Sequence, residues 1–289
     1  MSGDTRVRAW RLLVANPVTV ISALILVAVV VAALTAGWLA PYGINEVNVP
    51  QALRTPSGTH WFGTDELGRD VLSRVLVAVQ ASMKVAVASV AFAAIVGVTL
   101  GVIAGYRGGW LDTVVMRIVD VMFAFPVLLL ALAIVAVLGP GLTTTILAIG
   151  TVYTPIFARV ARASTLSVRV EPYVAVSHTM GTGAAYILTR HILPNISGPL
   201  IVQTSLSLAF AILSEAALSF LGLGIQPPQP SLGRMIFDSQ GFVTLAWWMA
   251  VFPGAAIFVI VLAFNLFGDG LRDVLDPKQR TMIEARRSR

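Results

Sequence analysis

The sequence predicts an all-α, polytopic membrane protein with six transmembrane helices and both termini on the cytoplasmic side. Three observations carry this. The 289-residue chain is 57% hydrophobic and only 12% charged, whereas soluble domains run at about 45–50% apolar and about 25% charged. Six apolar stretches approach or exceed the length of about 20 residues that crosses a bilayer as a helix. Lysine and arginine are divided unequally between the two sides that six crossings define.

The stretches are residues 18–39, 83–105, 115–138, 142–163, 198–221 and 246–267. The first is too long for the apolar core of about 7–15 residues in a signal peptide, so it reads as a retained anchor. Ahead of it, Arg6, Arg8 and Arg11 alternate with Val7, Trp10, Leu12 and Leu13. Residues 1–17 thus suit a short amphipathic helix on the cytoplasmic surface, with a disordered basic tail as the alternative. Pro126, Pro155 and Pro253 fall inside spans, and Gly97, Gly101 and Gly105 form two overlapping G-x-x-x-G steps. Such steps let a neighbouring helix approach closely.

Fifteen basic residues fall on the side of the termini and five on the other. The positive-inside rule therefore places both termini in the cytoplasm. The same bias explains the formal charge of +6 without nucleic acid, because the basic residues sit at membrane edges and form no run with interleaved aromatics. Residues 18–289 read as one transmembrane domain. Its segments outside the bilayer are an outer loop 40–82, an inner loop 164–197, an outer loop 222–245 and a cytoplasmic tail 268–289. The density of Gly and Pro in loop 222–245 argues against regular structure there.

Reactive chemistry is sparse. Cysteine is absent, which excludes disulfides and thiolate metal sites. No G-x-x-x-x-G-K-[ST] or H-E-x-x-H pattern occurs, and the histidines His60, His178 and His191 are scattered. The chain is thus expected to be non-catalytic, with no cofactor and no metal of its own. Intramembrane carboxylates are costly and often functional. Asp112 and Asp120 are expected to pair with Arg107 or Arg117. Glu215, deeper in the fifth span, is either a polar group near a translocation path or second subunit, or the acceptor of a hydrogen bond from a nearby Ser or Thr.

Residues 171–195, EPYVAVSHTMGTGAAYILTRHILPN, predict one short helix from Pro172 to Met180, ended by Gly181. Proline suits a helix start and glycine a helix end. A second stretch, Ala184 to Leu193, should close at Pro194. Tyr173, Val174, Val176, Ala185, Ile187, Leu188 and Ile192 give these elements an apolar surface. An amphipathic helix seated in a partner's groove fits this pattern, and so does a helix packed on the protein's own inner face.

This stretch resembles the E-A-A-x-x-x-G…I-x-L-P loop of ABC-importer permeases. Gly181, Leu193 and Pro194 match, whereas Ala175-Val176-Ser177 replace E-A-A and His191 replaces the isoleucine. Other segments resemble the second permease of the dipeptide, oligopeptide and nickel group. They are HWFGTDELGRDVLSR from His60, the Asp112 to Pro126 segment, EAALSFLGLGIQPPQPSLG from Glu215, and GDGLRDVLDP from Gly268. Gln80, Ala78 and Leu232 depart from the pattern, which commonly has Arg, Gly and Trp there.

The resemblance implies a type I importer permease fold in a bacterial inner membrane. It also implies a heterodimer with a homologous permease, two cytoplasmic ATPase subunits that bind ATP and Mg, and an extracytoplasmic substrate-binding protein. It assigns Tyr173, Val174, Ala175, Val176, Ser177, His178, Gly181, Arg190, His191, Leu193 and Pro194 to ATPase coupling. An outer gate or path is expected at Glu215, Gly222, Gly224, Gln226, Pro227 and Pro228. Peptides are the expected cargo, with nickel, glutathione or another small solute as alternatives, and a proton-coupled carrier as a further one.

Overall fold

A computed structural model describes residues 16–275. The N-terminal segment 1–17 therefore lies almost wholly outside the described residues, as does the tail beyond residue 275. Among the described residues the regular structure is helical, apart from one isolated bridge between Thr64 and Asp70. The helices are α1 (Pro17–Leu39), α2 (Val71–Arg107), α3 (Gly109–Phe123), α4 (Val127–Leu138), α5 (Leu142–Val168), α6 (Pro172–Thr179), α7 (Ala184–Phe220), α8 (Leu232–Ser239) and α9 (Trp248–Leu275). Five of them, α1, α2, α5, α7 and α9, are long and apolar enough to cross a membrane. The face bearing loop 164–197 is called inner below, and the opposite face outer.

The third apolar stretch is not a straight helix. α3 and α4 meet at 92°, and together they supply a sixth crossing only if the bent pair counts as one. Pro126 is the cause. It lacks a donor for a continuing helix and disfavours helical geometry in the residue before it, and it adopts extended geometry as the cap of α4 (φ −57°, ψ 130°). α4 alone has 12 residues, about 18 Å of helix against a hydrocarbon core of about 30 Å.

The bend lays α3 against α5, and this redirects the ion pairs expected within the third stretch. Asp112 pairs with Arg162, whose Nη2 donates at 2.6 Å and whose Nε donates to the other carboxylate oxygen. Asp120 accepts from Arg159 at 2.9 Å, and that guanidinium also lies 4.0 Å from the Phe123 ring centre. Both acids thus pair across helices with α5, not with Arg107 or Arg117.

α2 begins at Val71, well before the apolar run. Asp70 caps it, accepting from the Ser73 amide at 2.8 Å. Hydropathy hides this start because the first turns carry Ser73, Arg74 and Gln80. At 37 residues, α2 is about 55 Å long.

The glycine series explains how α2 packs. A Cβ on Gly97 would stand 2.5 Å from the Thr154 carbonyl oxygen. On Gly101 it would stand 2.2 Å from that of Ala158, and on Gly105 3.0 Å from that of Arg162. Ser89 Oγ donates to the Ile146 carbonyl at the same sequence separation of 57. A constant separation means that α2 and α5 run parallel in one register, backbone against backbone.

Two further elements differ from expectation. Loop 222–245 contains α8, capped by Ser231, whose side chain accepts from the Arg234 amide. The breakers are concentrated in residues 222–231, and the sequence beyond them is free to coil. The stretch from Ala184 does not close at Pro194 but runs on into the fifth span as α7. A π-helical turn, Ile187–Ile192, precedes the proline, and the Leu193 amide donates to Leu188, five residues back. This wider turn relieves the clash of a proline ring with the preceding turn, the usual reason such a residue ends a helix.

Candidate functional site

Loop 164–197 carries its own small core, separate from the main one. Val174 of α6, with Ile187, Ile192 and Ile196 of α7, packs on Val102 of α2 and Ala161 of α5. All six are 0–4% exposed. Leu188 is half-buried against them. The expected apolar surface is thus divided. Val174, Ile187 and Ile192 face the protein itself, whereas Tyr173 is 42% exposed, Val176 56%, Tyr186 55% and Met180 78%. Ala175 is exposed beside them, and Arg190, Leu193 and Pro194 are also exposed.

Gly181 ends α6 with φ +75° and donates its amide to His178. The two halves of the loop are tied by one polar contact and by ring packing. Ser177 Oγ and His191 Nε2 are 3.2 Å apart, and the His191 ring lies between those of Tyr173 and Tyr186, with centroids 5.8 and 5.7 Å away. His191, which departs from the expected isoleucine, is therefore the hub of the loop's aromatic cluster.

The contact of His178 reaches further. Its Nε2 is 3.1 Å from the Tyr106 hydroxyl at the inner end of α2. Arg169, the C-cap of α5, donates to the Gly105 and Tyr106 carbonyls at 2.8 and 3.5 Å. The sequence did not single out Tyr106 or Arg169. No motif marks them, and each becomes informative only when α2 and α5 lie side by side.

At the outer end, the FGTDELGRD segment folds into a hydrogen-bonded cap over α2. Asp65 accepts from the Leu67 and Arg69 amides at 2.9 Å each and from Arg69 Nε at 2.6 Å. Asp70 contacts His60 Nδ1 at 2.9 Å, and Arg74 donates to the Ile44 carbonyl at 3.0 Å. Trp248 Nε1 donates to the Thr64 carbonyl at 3.0 Å, which pins α9 to this cap. Glu66 accepts from Arg69 at 2.9 Å through one oxygen, while its other oxygen is buried without a partner. Burial, then neighbouring Asp65, pushes its carboxyl above the usual 4.5. The fold thus disfavours ionised Glu66, a penalty absent below the usual value and growing as pH rises through it. Glu66→Gln should therefore raise the neutral-pH melting temperature, by less than about 1 kcal/mol of stability, and leave it unchanged near the acid end. Melting curves across pH check this.

Glu215 is fully buried between α2 and α7. It accepts from Ser82 Oγ at 2.5 Å and from Ser219 Oγ at 2.7 Å. The geometry matches the hydrogen-bonded alternative, and no surface of the residue is open to a path within this chain. Ser219 Oγ also accepts from the Ile225 amide at 3.3 Å, so the acid anchors the start of the outer loop. Glu215→Ala strands two buried hydroxyls and should cost about 1–3 kcal/mol, with Glu215→Gln milder. Detergent melting curves of the two variants check this order.

The expected outer-gate residues fold back on that anchor. Gly224 sits where a Cβ would come 2.0 Å from Ser219 Oγ, and Gly233 where one would come 1.9 Å from the Ala216 carbonyl. Gly222 has φ +80°. Gln226 Nε2 donates to the Gly222 and Gly224 carbonyls at 3.1 and 3.0 Å. Pro227 and Pro228, joined by a cis peptide bond, are exposed.

Among the described residues no group of three or more His, Asp or Glu is placed to hold a metal. The profile of the family "binding-protein-dependent transport system inner membrane component" matches residues 97–281. That of the "N-terminal TM domain of oligopeptide transport permease C" matches residues 6–56. The chain is 43% identical to the dipeptide transport system permease protein DppC of Alkalihalophilus pseudofirmus, over 94% of this chain and 90% of that one. It is 44% identical to the probable D,D-dipeptide transport system permease protein DdpC of Escherichia coli K12, over 91% and 88%. To the glutathione transport system permease protein GsiD of Pectobacterium atrosepticum it is 41% identical, over 94% and 91%. In structure it resembles a chain of the MetNI methionine ABC transporter in an inward-facing conformation, with a TM-score of 0.59 at 17% identity, covering 70% of this chain and 96% of that one. This multi-pass chain therefore belongs to the family of binding-protein-dependent transport system inner membrane components, the permeases of ABC importers.

Proposed function

We propose that the chain forms half of the translocation path of an ATP-driven importer of short peptides, in a bacterial inner membrane with both termini cytoplasmic. The observation that carries this reading is the inner loop. Its own core is complete, yet Tyr173, Val176, Met180 and Tyr186 remain exposed on the two short segments that Gly181 separates. An element already anchored to three long helices, with apolar side chains left over, suits a groove on a separate subunit. Membership in the family supports an ATPase as that subunit, a homologous permease as the other half of the path, and a binding protein that delivers cargo. In this reading the chain itself holds no cofactor and performs no catalysis. ATP and Mg belong to the ATPases.

The mechanism follows from rigidity. Nucleotide-driven closure of the ATPases displaces the docked loop, and the helices fused to that loop rock with it. This is a two-state switch biased by a ligand with different affinity for the two states. Peptide cargo rests on the dipeptide and glutathione permeases among the relatives.

The test is reconstitution of the chain with its partner permease, ATPases and binding protein. ATP-dependent uptake of a labelled dipeptide is expected only from the full set. Uptake by this chain alone, without ATP, would establish a secondary carrier instead. Competition by glutathione against the dipeptide separates the two cargoes.

A further inference from the structure

The long helix α2 is separated from the inner loop in sequence by α3, α4 and α5, yet the loop grips it. His178, on α6, meets the Tyr106 hydroxyl at 3.1 Å, with the two rings stacked at 19°. Arg169, just ahead of α6, holds the Gly105 carbonyl at 2.8 Å. Val102, one turn further up α2, is buried in the same small core as Val174 of α6. Polar and apolar contacts thus both join the last turns of α2 to the loop. The opposite end of α2 is tied down as well. Asp70 links its first turn to His60, Ser73 Oγ accepts from the Tyr42 amide at 3.2 Å, and Arg74 holds the Ile44 carbonyl. Between these ends α2 is one uninterrupted helix of 37 residues.

We propose that Tyr106, His178 and Arg169 are positioning residues that make α2 part of the loop's rigid body, so that displacement of the inner loop reappears at the outer cap around His60. This rests on the reading of the loop as the ATPase contact. It adds a direct route from that contact to the outer surface, beyond the spans α5 and α7 that continue from the loop in sequence. A helix bundle transmits such a shift because packed interiors are stiff.

The experiment uses the full reconstituted complex. Tyr106→Phe removes only a hydroxyl, and Arg169→Gln removes the charged grip. Each should lower the peptide transported per ATP hydrolysed by roughly two- to tenfold, the range expected for one hydrogen bond, while the ATPases still co-purify. A residue with a merely structural role would reduce the yield of complex and leave that ratio unchanged, which would overturn the proposal. The chain has no cysteine, so spin labels at Thr55→Cys and Ala184→Cys give a second, independent reading. Their separation should agree between nucleotide-free and ATP-trapped complexes to within about 1–2 Å, the scale of a helix shift. A larger change means that the loop swings relative to the outer cap and also overturns the proposal. Failure of the docking reading itself looks different. In that case the ATPases would assemble and transport normally after Gly181→Val.

Discussion

Gly101→Leu should leave no folded chain to purify from membranes. The Cβ alone would stand 2.2 Å from the Ala158 carbonyl and 2.9 Å from the Ala161 methyl. Neither neighbour is the free end of a flexible side chain, so the helices themselves must separate. Overpacking of a tight interior costs typically about 1–3 kcal/mol, and this site lies at the backbone end of that range or beyond. The loss spreads because α2 and α5 share one register through Gly97, Gly101 and Gly105. In a membrane, close van der Waals packing is a main source of helix association. Gly105→Ala, whose methyl would meet Arg162 and Thr165 at about 3 Å, should retain a folded chain with a lower melting temperature. Size-exclusion profiles and detergent melting curves of the two variants provide the measurement. A monodisperse Gly101→Leu chain of wild-type stability would refute the packing argument.

Gly181→Val should abolish transport and loosen the ATPases while the membrane bundle stays folded. The reason is conformational. Gly181 has φ +75°, and nothing lies within 4 Å of the position a Cβ would take. Left-handed geometry costs an ordinary residue roughly 1–2 kcal/mol, and a β-branched one tolerates it least. Relief of that strain re-aims α6 relative to α7, which misplaces Tyr173 and Val176 against Tyr186. Asparagine visits left-handed geometry readily, so Gly181→Asn should restore most of the activity. This order, Gly above Asn above Val, separates a backbone requirement from a steric one. Co-purification of the ATPases and ATP-dependent uptake measure it. Equal activity in all three would overturn the reading of this loop as the docking element.

The inner loop shows where local sequence stops being informative. Periodicity leaves its apolar residues open between self-packing and docking, and the fold divides them between buried and exposed positions. Val174 and Ile187 are buried in the loop's own core, whereas Val176 and Tyr186 are exposed. Residues of the same character are divided by where α2 and α5 lie, which no local pattern records. Pro194 is similar. A proline ordinarily marks a helix end, yet the π turn before it lets the helix continue into the membrane. The start of α2 was hidden for the opposite reason. Ser73 and Arg74 bond to the outer cap and Gln80 donates to the Ala33 carbonyl of α1, so hydropathy marks only the apolar remainder of the helix.

The sequence by itself determined the all-helical membrane class, the approximate positions of the apolar segments and the glycine stop of α6. Each of these follows from local physics: transfer of apolar side chains from water, the reach of a helix, and the φ that only glycine adopts without strain. Tertiary structure alone decided the partners. It sent Asp112 and Asp120 to α5, buried Glu215 between two serines, bent the third stretch at Pro126, and placed Tyr106 against His178. Those outcomes depend on groups far apart in the chain meeting at hydrogen-bonding or van der Waals distance. The packing of α2 against α5 settles that geometry, and the composition of any one segment does not.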